Sequence, residues 1–111
     1  MRLLGIVGFA VLAAGASAGT IVRWDFEGNV TTPAVGSGTA SLVGGTTSTF
    51  ATGFGSAVGW NTTTYPAQGT GNRTAGVEFR ADLSGYRSIV VTWDQRHSNT
   101  SANTVSFQYT L

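Results

Sequence analysis

Apolar and polar residues alternate along several short segments of this chain, and a period of two is the pattern of strands with one buried face. In Thr20–Phe26 the residues Val22, Trp24 and Phe26 share one face, and the other face carries both charged residues of the segment. The turn-forming residues Glu27-Gly28-Asn29 follow directly. We therefore predict a strand that ends at Phe26.

The segments Ser88–Arg96 and Thr104–Leu111 alternate in the same way and fit one antiparallel hairpin. A single register satisfies every apolar position, since a slip of one residue would move each side chain to the other face. The apolar pairs are Trp93 with Phe107, Val91 with Tyr109, and Ile89 with Leu111. The polar face pairs Asp94 with Ser106, Thr92 with Gln108, and Val90 with Thr110.

The stretch Val30–Gly59 is rich in glycine, serine and threonine. Its regularly spaced large apolar residues favour two short strands, Ala40–Val43 and Phe54–Val58, with Gly44-Gly45 turning between them. A disordered linker is the alternative for this composition.

Turn-forming residues are concentrated in the next stretch, Trp60–Asn72, which contains Pro66, Gly69 and Gly71. Proline and glycine interrupt strands, so we predict a long surface loop there. Thr74–Ala81 alternates again and predicts another strand.

The N-terminus has the three parts of a secretory signal peptide in order. Met1-Arg2 supplies a positive charge, Leu3–Ala14 is an apolar run, and Ala16-Ser17-Ala18 has the small residues that signal peptidase cuts after. The apolar run is shorter than the ~20 residues that a spanning helix needs. We predict a cleaved leader over residues 1–18 and an extracellular or periplasmic protein that begins at Gly19; a short membrane anchor is the alternative.

Composition limits the function classes. The chain has 111 residues, no cysteine and one histidine, which excludes thiol catalysis, disulfides and most zinc sites. The net charge is +1, and Arg2 in the predicted leader supplies it, so nothing favours nucleic acid as a partner. Residues 19–111 amount to one small domain.

Short aromatic-bearing strands separated by many turns are typical of an all-β fold. We predict an antiparallel two-sheet β-sandwich, jelly-roll or lectin-like, with no membrane span after cleavage of the leader. The predicted core consists of Val22, Trp24, Phe26, Val77, Phe79, Ile89, Val91, Trp93, Val105, Phe107 and Tyr109. Because Leu111 is an inward position with nothing after it, we expect a domain that is incomplete at its C-terminus; a natural end opposite Ile89 is the alternative.

Two blocks resemble known families. The motifs YPAQGTGNRTAGVEF and SIVVTWDQRHSNTSANTVSFQYT, within Tyr65–Leu111, resemble a module of PEP-CTERM sorting-signal proteins and of large extracellular hydrolases. The opening IVRWDFEGN, with GTASLVGG and GFGSAVGWN, resembles laminin-G-like and concanavalin-A-like domains. The first resemblance implies an exported bacterial protein, and both imply a two-sheet antiparallel sandwich that binds rather than catalyses.

Sugar recognition needs flat apolar rings together with amides and carboxylates. Trp60, Asn61, Tyr65 and Gln68 supply these groups within one predicted loop, unless its aromatic rings fold back onto the core. The polar hairpin face is a second candidate, or else a solvated outer surface. It carries Thr92, Asp94, Arg96, Ser106 and Gln108.

Calcium requires several oxygen ligands at once. Asp25 and Glu27 project to one side of a predicted strand, and Asp82 is a third carboxylate in another loop, so these three are the candidate metal ligands. No other cofactor is predicted.

Catalytic motifs are weak. Asp94, His97 and Ser98 or Ser101 contain the residue types of a hydrolase triad, but a triad depends on geometry, and these lie within one strand-loop segment. We expect a non-catalytic binding or adhesion module for extracellular polysaccharide or cell-surface glycan. The alternatives are a structural spacer or surface-layer domain, and the N-terminal accessory module of a longer secreted hydrolase.

Overall fold

The computed structural model describes residues 2–3, 6–13, 19–102 and 104–110, and for the first two ranges it describes the backbone alone. The predicted cleavage site at Ala16-Ser17-Ala18 and the terminal Leu111 lie outside these ranges. The described residues form eight strands and no helix. The strands are β1 (Arg2–Leu3), β2 (Ile6–Ala13), β3 (Gly19–Trp24), β4 (Thr39–Val43), β5 (Thr47–Thr52), β6 (Val58–Thr63), β7 (Gly76–Arg80) and β8 (Ile89–Arg96).

The strands form two sheets in which every pairing is antiparallel, so the chain is an all-β protein as predicted. The smaller sheet has the order β1-β7-β4, and the larger has the order β3-β2-β6-β5, with β8 also paired to β2. Strand β2, whose residues were assigned to the predicted leader, is the central strand of the larger sheet. Within the described ranges, no helix is long and apolar enough to cross a membrane.

One apolar core joins the two sheets. Trp24 of β3 and Trp60 of β6 come from the larger sheet, and Val77 and Phe79 of β7 come from the smaller one. The ring centroids of Trp24 and Phe79 lie 4.9 Å apart in an edge-to-face arrangement, and those of Trp60 and Phe79 lie 6.3 Å apart. Burial of each such side chain stabilises the fold by about 1.5–3 kcal/mol, so this contact holds the sheets together.

Strand β3 ends at Trp24, two residues before the predicted end at Phe26, so Phe26 lies beyond the strand. The φ angle of Phe26 is 60°. The chain forms a turn here, in which the Asn29 N–H donates to the Phe26 carbonyl oxygen at 3.1 Å. A side chain in this left-handed region costs about 1–2 kcal/mol. The ring is fully buried against Trp60 and Phe79, and that burial offsets the backbone strain.

The prediction for the middle of the chain is partly wrong. Ala40–Val43 lies within β4, and Gly44-Gly45 does form a turn, but Phe54–Ala57 is a series of bends between β5 and β6. The first four residues of the predicted loop, 60–63, belong to β6, which pairs with β5 in a hairpin that places Phe50 opposite Trp60, whereas residues 64–72 form no strand, as predicted. Glycine and threonine give little contrast between apolar and polar positions here, so the pairing of β5 with β6 determines where these strands lie.

The predicted terminal hairpin is not formed in the structure. Thr104–Thr110 forms no strand, although Gln108 makes a single bridge, and β8 pairs along its whole length with β2. Three predicted core residues are accordingly exposed: Trp93 and Phe107 at 38% each, and Tyr109 at 68%. Their assignment to the core was wrong, since the face they share opens to solvent at this end of the sheet.

Candidate functional site

The predicted sugar-binding loop does not present its residues together. Trp60 is 3% exposed and packs in the core, so its ring cannot stack on a ligand. Asn61 lies half-buried in β6, with its amide nitrogen 3.5 Å from the Thr49 Oγ1 atom. The Tyr65 hydroxyl shares a hydrogen bond with Thr62, while Gln68 is exposed in a turn. Of these four residues Gln68 is exposed, Asn61 and Tyr65 are half-buried, and Trp60 is buried.

The polar face of β8 is present and accessible. Thr92, Asp94 and Arg96 are all exposed, as the alternation predicts. The Asp94 carboxylate lies beside Gly55 in the β5–β6 loop. It is so close that a Cβ atom added to Gly55 would lie 2.7 Å from the Asp94 Oδ2 atom. Gln108 is exposed in Thr104–Thr110, which we call the terminal segment. Asp94 therefore contacts the loop that carries the exposed Phe54.

The three candidate calcium ligands each have a protein partner. Asp25 lies 3.6 Å from the Arg23 guanidinium, and its Oδ1 atom accepts from the Glu27 N–H at 3.2 Å. The Glu27 Oε1 atom accepts from the amides of Ala57 and Val58 at 3.0 and 3.2 Å. These carboxylates organise turns, and the part of the chain that the structure describes holds no cluster of three metal-ligating side chains.

Asp82 serves a separate turn. Its Oδ1 atom accepts from the Ser84 hydroxyl at 2.6 Å and from the Ser84 N–H at 2.9 Å. Both hydrogen bonds favour the charged carboxylate, and together they lower the pKa of Asp82 below its ordinary value, the hydroxyl contributing more than the amide. This arrangement stabilises a turn between β7 and β8.

The residues with triad chemistry lie at the exposed end of β8 and in the turn that follows it. His97 is exposed at the end of β8, and the Ser101 hydroxyl donates to the Ser98 carbonyl oxygen at 2.9 Å. That hydrogen bond, with a second from the Ser101 N–H at 3.1 Å, closes a turn. The hydroxyl of Ser101 is thus used to reverse the chain.

An exposed aromatic cluster, not singled out from the sequence as a site, lies where β8 meets the terminal segment. The rings of Trp93 and Phe107 are stacked, with centroids 5.4 Å apart and 8° between their planes. Tyr109 continues the series, 6.5 Å from Phe107. We call these three residues the aromatic stack. Their alternation predicts that they share one face of the sheet, but it does not tell whether that face is buried or exposed to solvent at this position.

One polar group lies against the aromatic stack. Gln95 is two residues from Trp93 on the same face of β8, and its Oε1 atom accepts from the Trp93 indole N–H at 3.3 Å. The pair combines an exposed ring system with an amide, which are the two kinds of group that sugar recognition requires.

Comparison of this chain with protein families, with curated proteins and with solved structures finds no match. The resemblances to PEP-CTERM-associated modules and to laminin-G-like or concanavalin-A-like domains therefore stay expectations from the sequence. The function has to be inferred from the chain's own geometry.

Proposed function

We propose that this chain is an exported, non-catalytic binding module for extracellular carbohydrate. The observation that supports the proposal is the aromatic stack of Trp93, Phe107 and Tyr109. Large rings are usually buried, and an exposed run of three in contact is the kind of surface that binds a ligand. Pyranose rings present flat C–H faces, so they stack on aromatic side chains without a deep pocket.

The polar neighbours fit the same ligand class. Gln95 lies beside Trp93, and the phenol of Tyr109 is the most exposed group of the stack. An amide and a phenol can both donate to and accept from sugar hydroxyls. The arrangement offers no fixed charge on this face of β8, which favours neutral polysaccharide over charged ligands.

Export and architecture complete the proposal. The basic start, the apolar run and the Ala16-Ser17-Ala18 motif support a cleaved leader and a secreted or periplasmic protein. Two antiparallel sheets that share one core support a β-sandwich, jelly-roll or lectin-like, as the scaffold.

Retention on polysaccharide tests the binding proposal. The protein is applied to insoluble cellulose and chitin, and to soluble xylan and β-glucan by affinity electrophoresis. Trp93→Ala should weaken retention at least about fivefold on whichever polymer binds, since a stacking contact of the size measured for nucleobases on aromatic rings contributes about 1–3 kcal/mol. Phe54→Ala is the matched control, because Phe54 is 59% exposed but lies in the β5–β6 loop.

Equal retention of Trp93→Ala and the parent protein would overturn the assignment of the site. Failure of the parent protein to bind any polymer would overturn the carbohydrate proposal. The second candidate, a structural spacer, would then be favoured by the use of Asp25, Glu27 and Asp82 in turns rather than in a ligand site.

A further inference from the structure

Strand β8 has two possible antiparallel neighbours within this one chain. In the structure it pairs with β2, so that Ile89 lies opposite Ala13 and Arg96 lies opposite Ile6. The hairpin register predicted from the sequence pairs the same strand with the terminal segment. That register places Trp93 opposite Phe107 and Thr92 opposite Gln108, whereas β2 places Phe9 and Ala10 at these two positions.

The terminal segment nearly matches β2 in length and would run in the same direction beside β8. β2 and β8 are eight residues each, and Thr104–Thr110 supplies a partner for each of the seven β8 residues from Val90 to Arg96 in the predicted register. β2 runs antiparallel to both β3 and β8. A segment that returns along β8 in a hairpin has the same direction as β2, so it is antiparallel to β3 as well and fits between the two strands.

Part of the hairpin is already in place. Phe107 stacks on Trp93, its partner in the predicted register, although the backbone of Thr104–Thr110 forms no strand. The chain reverses direction between them in the turn that the Ser101 N–H closes by donating to the Ser98 carbonyl oxygen. The side chains are thus close to their hairpin positions while β2 is paired with β8.

Removal of the leader would take β2 away from the centre of the larger sheet. Strands β3 and β8 would then each expose a row of unpaired backbone N–H and C=O groups. Such groups raise the free energy of the fold where neighbouring apolar side chains shield them from water. Ile89 and Val91 of β8 pack against the core, and this burial keeps β8 in the sheet after the leader is removed. Its vacant edge needs a strand of matching length and direction.

We propose that Thr104–Thr110 replaces Ile6–Ala13 between β3 and β8 when the leader is cleaved. The proposal rests on the export proposed above, because cleavage is what frees the position. The leader then acts before export as a temporary strand of the domain, and the mature sheet is completed by the terminal segment. The Trp93–Phe107 contact persists through the exchange as the cross-strand pair of the new hairpin. Tyr109 then takes the place of Val11 between Val22 and Val91, so the carbohydrate site of the processed protein rests on Trp93, Phe107 and Gln95.

Position 92 distinguishes the two arrangements, since its partner is Ala10 in one and Gln108 in the other. The protein contains no cysteine, so an introduced pair reports on a single contact. Opposite residues of an antiparallel pair are within disulfide reach, at Cα distances of about 4.4–6.8 Å. The variants are Thr92→Cys with Ala10→Cys, and Thr92→Cys with Gln108→Cys.

Each variant is prepared in two forms from the full chain. Expression without export retains the leader, and recovery from an exporting host yields the processed protein, with intact mass recording which form is present. We expect the 10–92 disulfide in the unprocessed chain. We expect the 92–108 disulfide to form at least tenfold faster in the processed chain than in the unprocessed one. Thr92→Cys with Thr110→Cys is the diagonal control and should cross-link poorly, because such neighbours are about 7–8 Å apart.

Equal formation of the 92–108 disulfide in both forms would show that the two segments flank β8 independently, and it would overturn the exchange. Its absence from the processed chain would do the same. An intact mass that includes the leader after export would overturn the export proposal as well as the exchange. Amide exchange of the processed protein without substitutions is the second measurement, and protection of Val105–Thr110 should increase at least tenfold over the unprocessed chain.

Discussion

The hydroxyl of Thr46 lies 2.8 Å from the carbonyl oxygen of Gly76, thirty residues further along the chain. Both residues are buried. Thr46 follows the Gly44-Gly45 turn, where the chain leaves β4 in the smaller sheet and enters β5 in the larger one. Its hydroxyl also contacts the Val43 carbonyl oxygen, so one side chain secures the crossing between the sheets.

Replacing this hydroxyl should destabilise the protein. Thr46→Val keeps the shape of the side chain but leaves the Gly76 carbonyl oxygen buried without this donor, so we expect a loss of about 1–2 kcal/mol in the free energy of unfolding. Urea denaturation measures it. Thr46→Ser retains the hydroxyl and should lose less than Thr46→Val; the reverse order would show that packing of the methyl group matters more than the hydrogen bond.

The two glycines of the crossing turn should respond differently to alanine. Both have positive φ angles, 71° at Gly44 and 83° at Gly45. A Cβ atom at Gly44 would lie 1.9 Å from the Thr74 carbonyl oxygen, whereas at Gly45 it would meet nothing within 4 Å. Gly45→Ala should cost about 1–2 kcal/mol through backbone strain alone.

Gly44→Ala carries the same strain and an added clash with the backbone, so it should cost at least about 1 kcal/mol more than Gly45→Ala. Thermal unfolding of the two variants side by side measures the difference. Equal losses would mean that the Thr74 segment moves away from the turn without cost.

The carboxylate of Glu27 should hold the β5–β6 loop in place, because it accepts from the Ala57 and Val58 amides. Glu27→Ala should accelerate hydrogen exchange at both amides and lower stability by about 1 kcal/mol, a modest value because the contact is exposed. Glu27→Gln keeps an accepting oxygen, so its exchange rates and its stability should lie between those of the parent protein and those of Glu27→Ala. Unchanged exchange at Val58 in Glu27→Ala would contradict this role.

The turn at Asp82 should weaken in acid. Because hydrogen bonds from Ser84 lower the pKa of the folded carboxyl group, its contribution to stability is present above the ordinary aspartate pKa and is lost as pH falls through the lowered value. An NMR titration of the Asp82 side chain measures the shift directly. Ser84→Ala should move the pKa upward, towards the ordinary value, and an unchanged pKa in that variant would refute the assigned cause.

Much of the local structure could be predicted from alternation. The strand predicted over Thr20–Phe26 corresponds to β3, the one over Thr74–Ala81 to β7, and the one over Ser88–Arg96 to β8. β6 could not be predicted in the same way, because its sequence VGWNTT has only two apolar residues, Val58 and Trp60, and the turn residues after it favour a loop. Pairing with β5 supplies the order that the local sequence lacks.

The candidate site was predictable only in part. The alternation placed Trp93, Phe107 and Tyr109 on one face, and two of these residues stack as the predicted register pairs them. Whether that face is covered depends on the shape of the sheet's end, which no period in the sequence records. Trp60 shows the opposite case, since a residue in a predicted binding loop became part of the core.

The sequence by itself determined the all-β class, the main strands and the faces they bury, because side-chain direction in a strand repeats every two residues. Only the tertiary structure decided which strand lies beside which, that Trp60 is buried, and that the aromatic stack is exposed. Backbone hydrogen bonding between strands is nearly independent of side-chain identity. An apolar segment near the start and an alternating segment near the end can therefore both match β8, and the choice between them belongs to the assembled sheet.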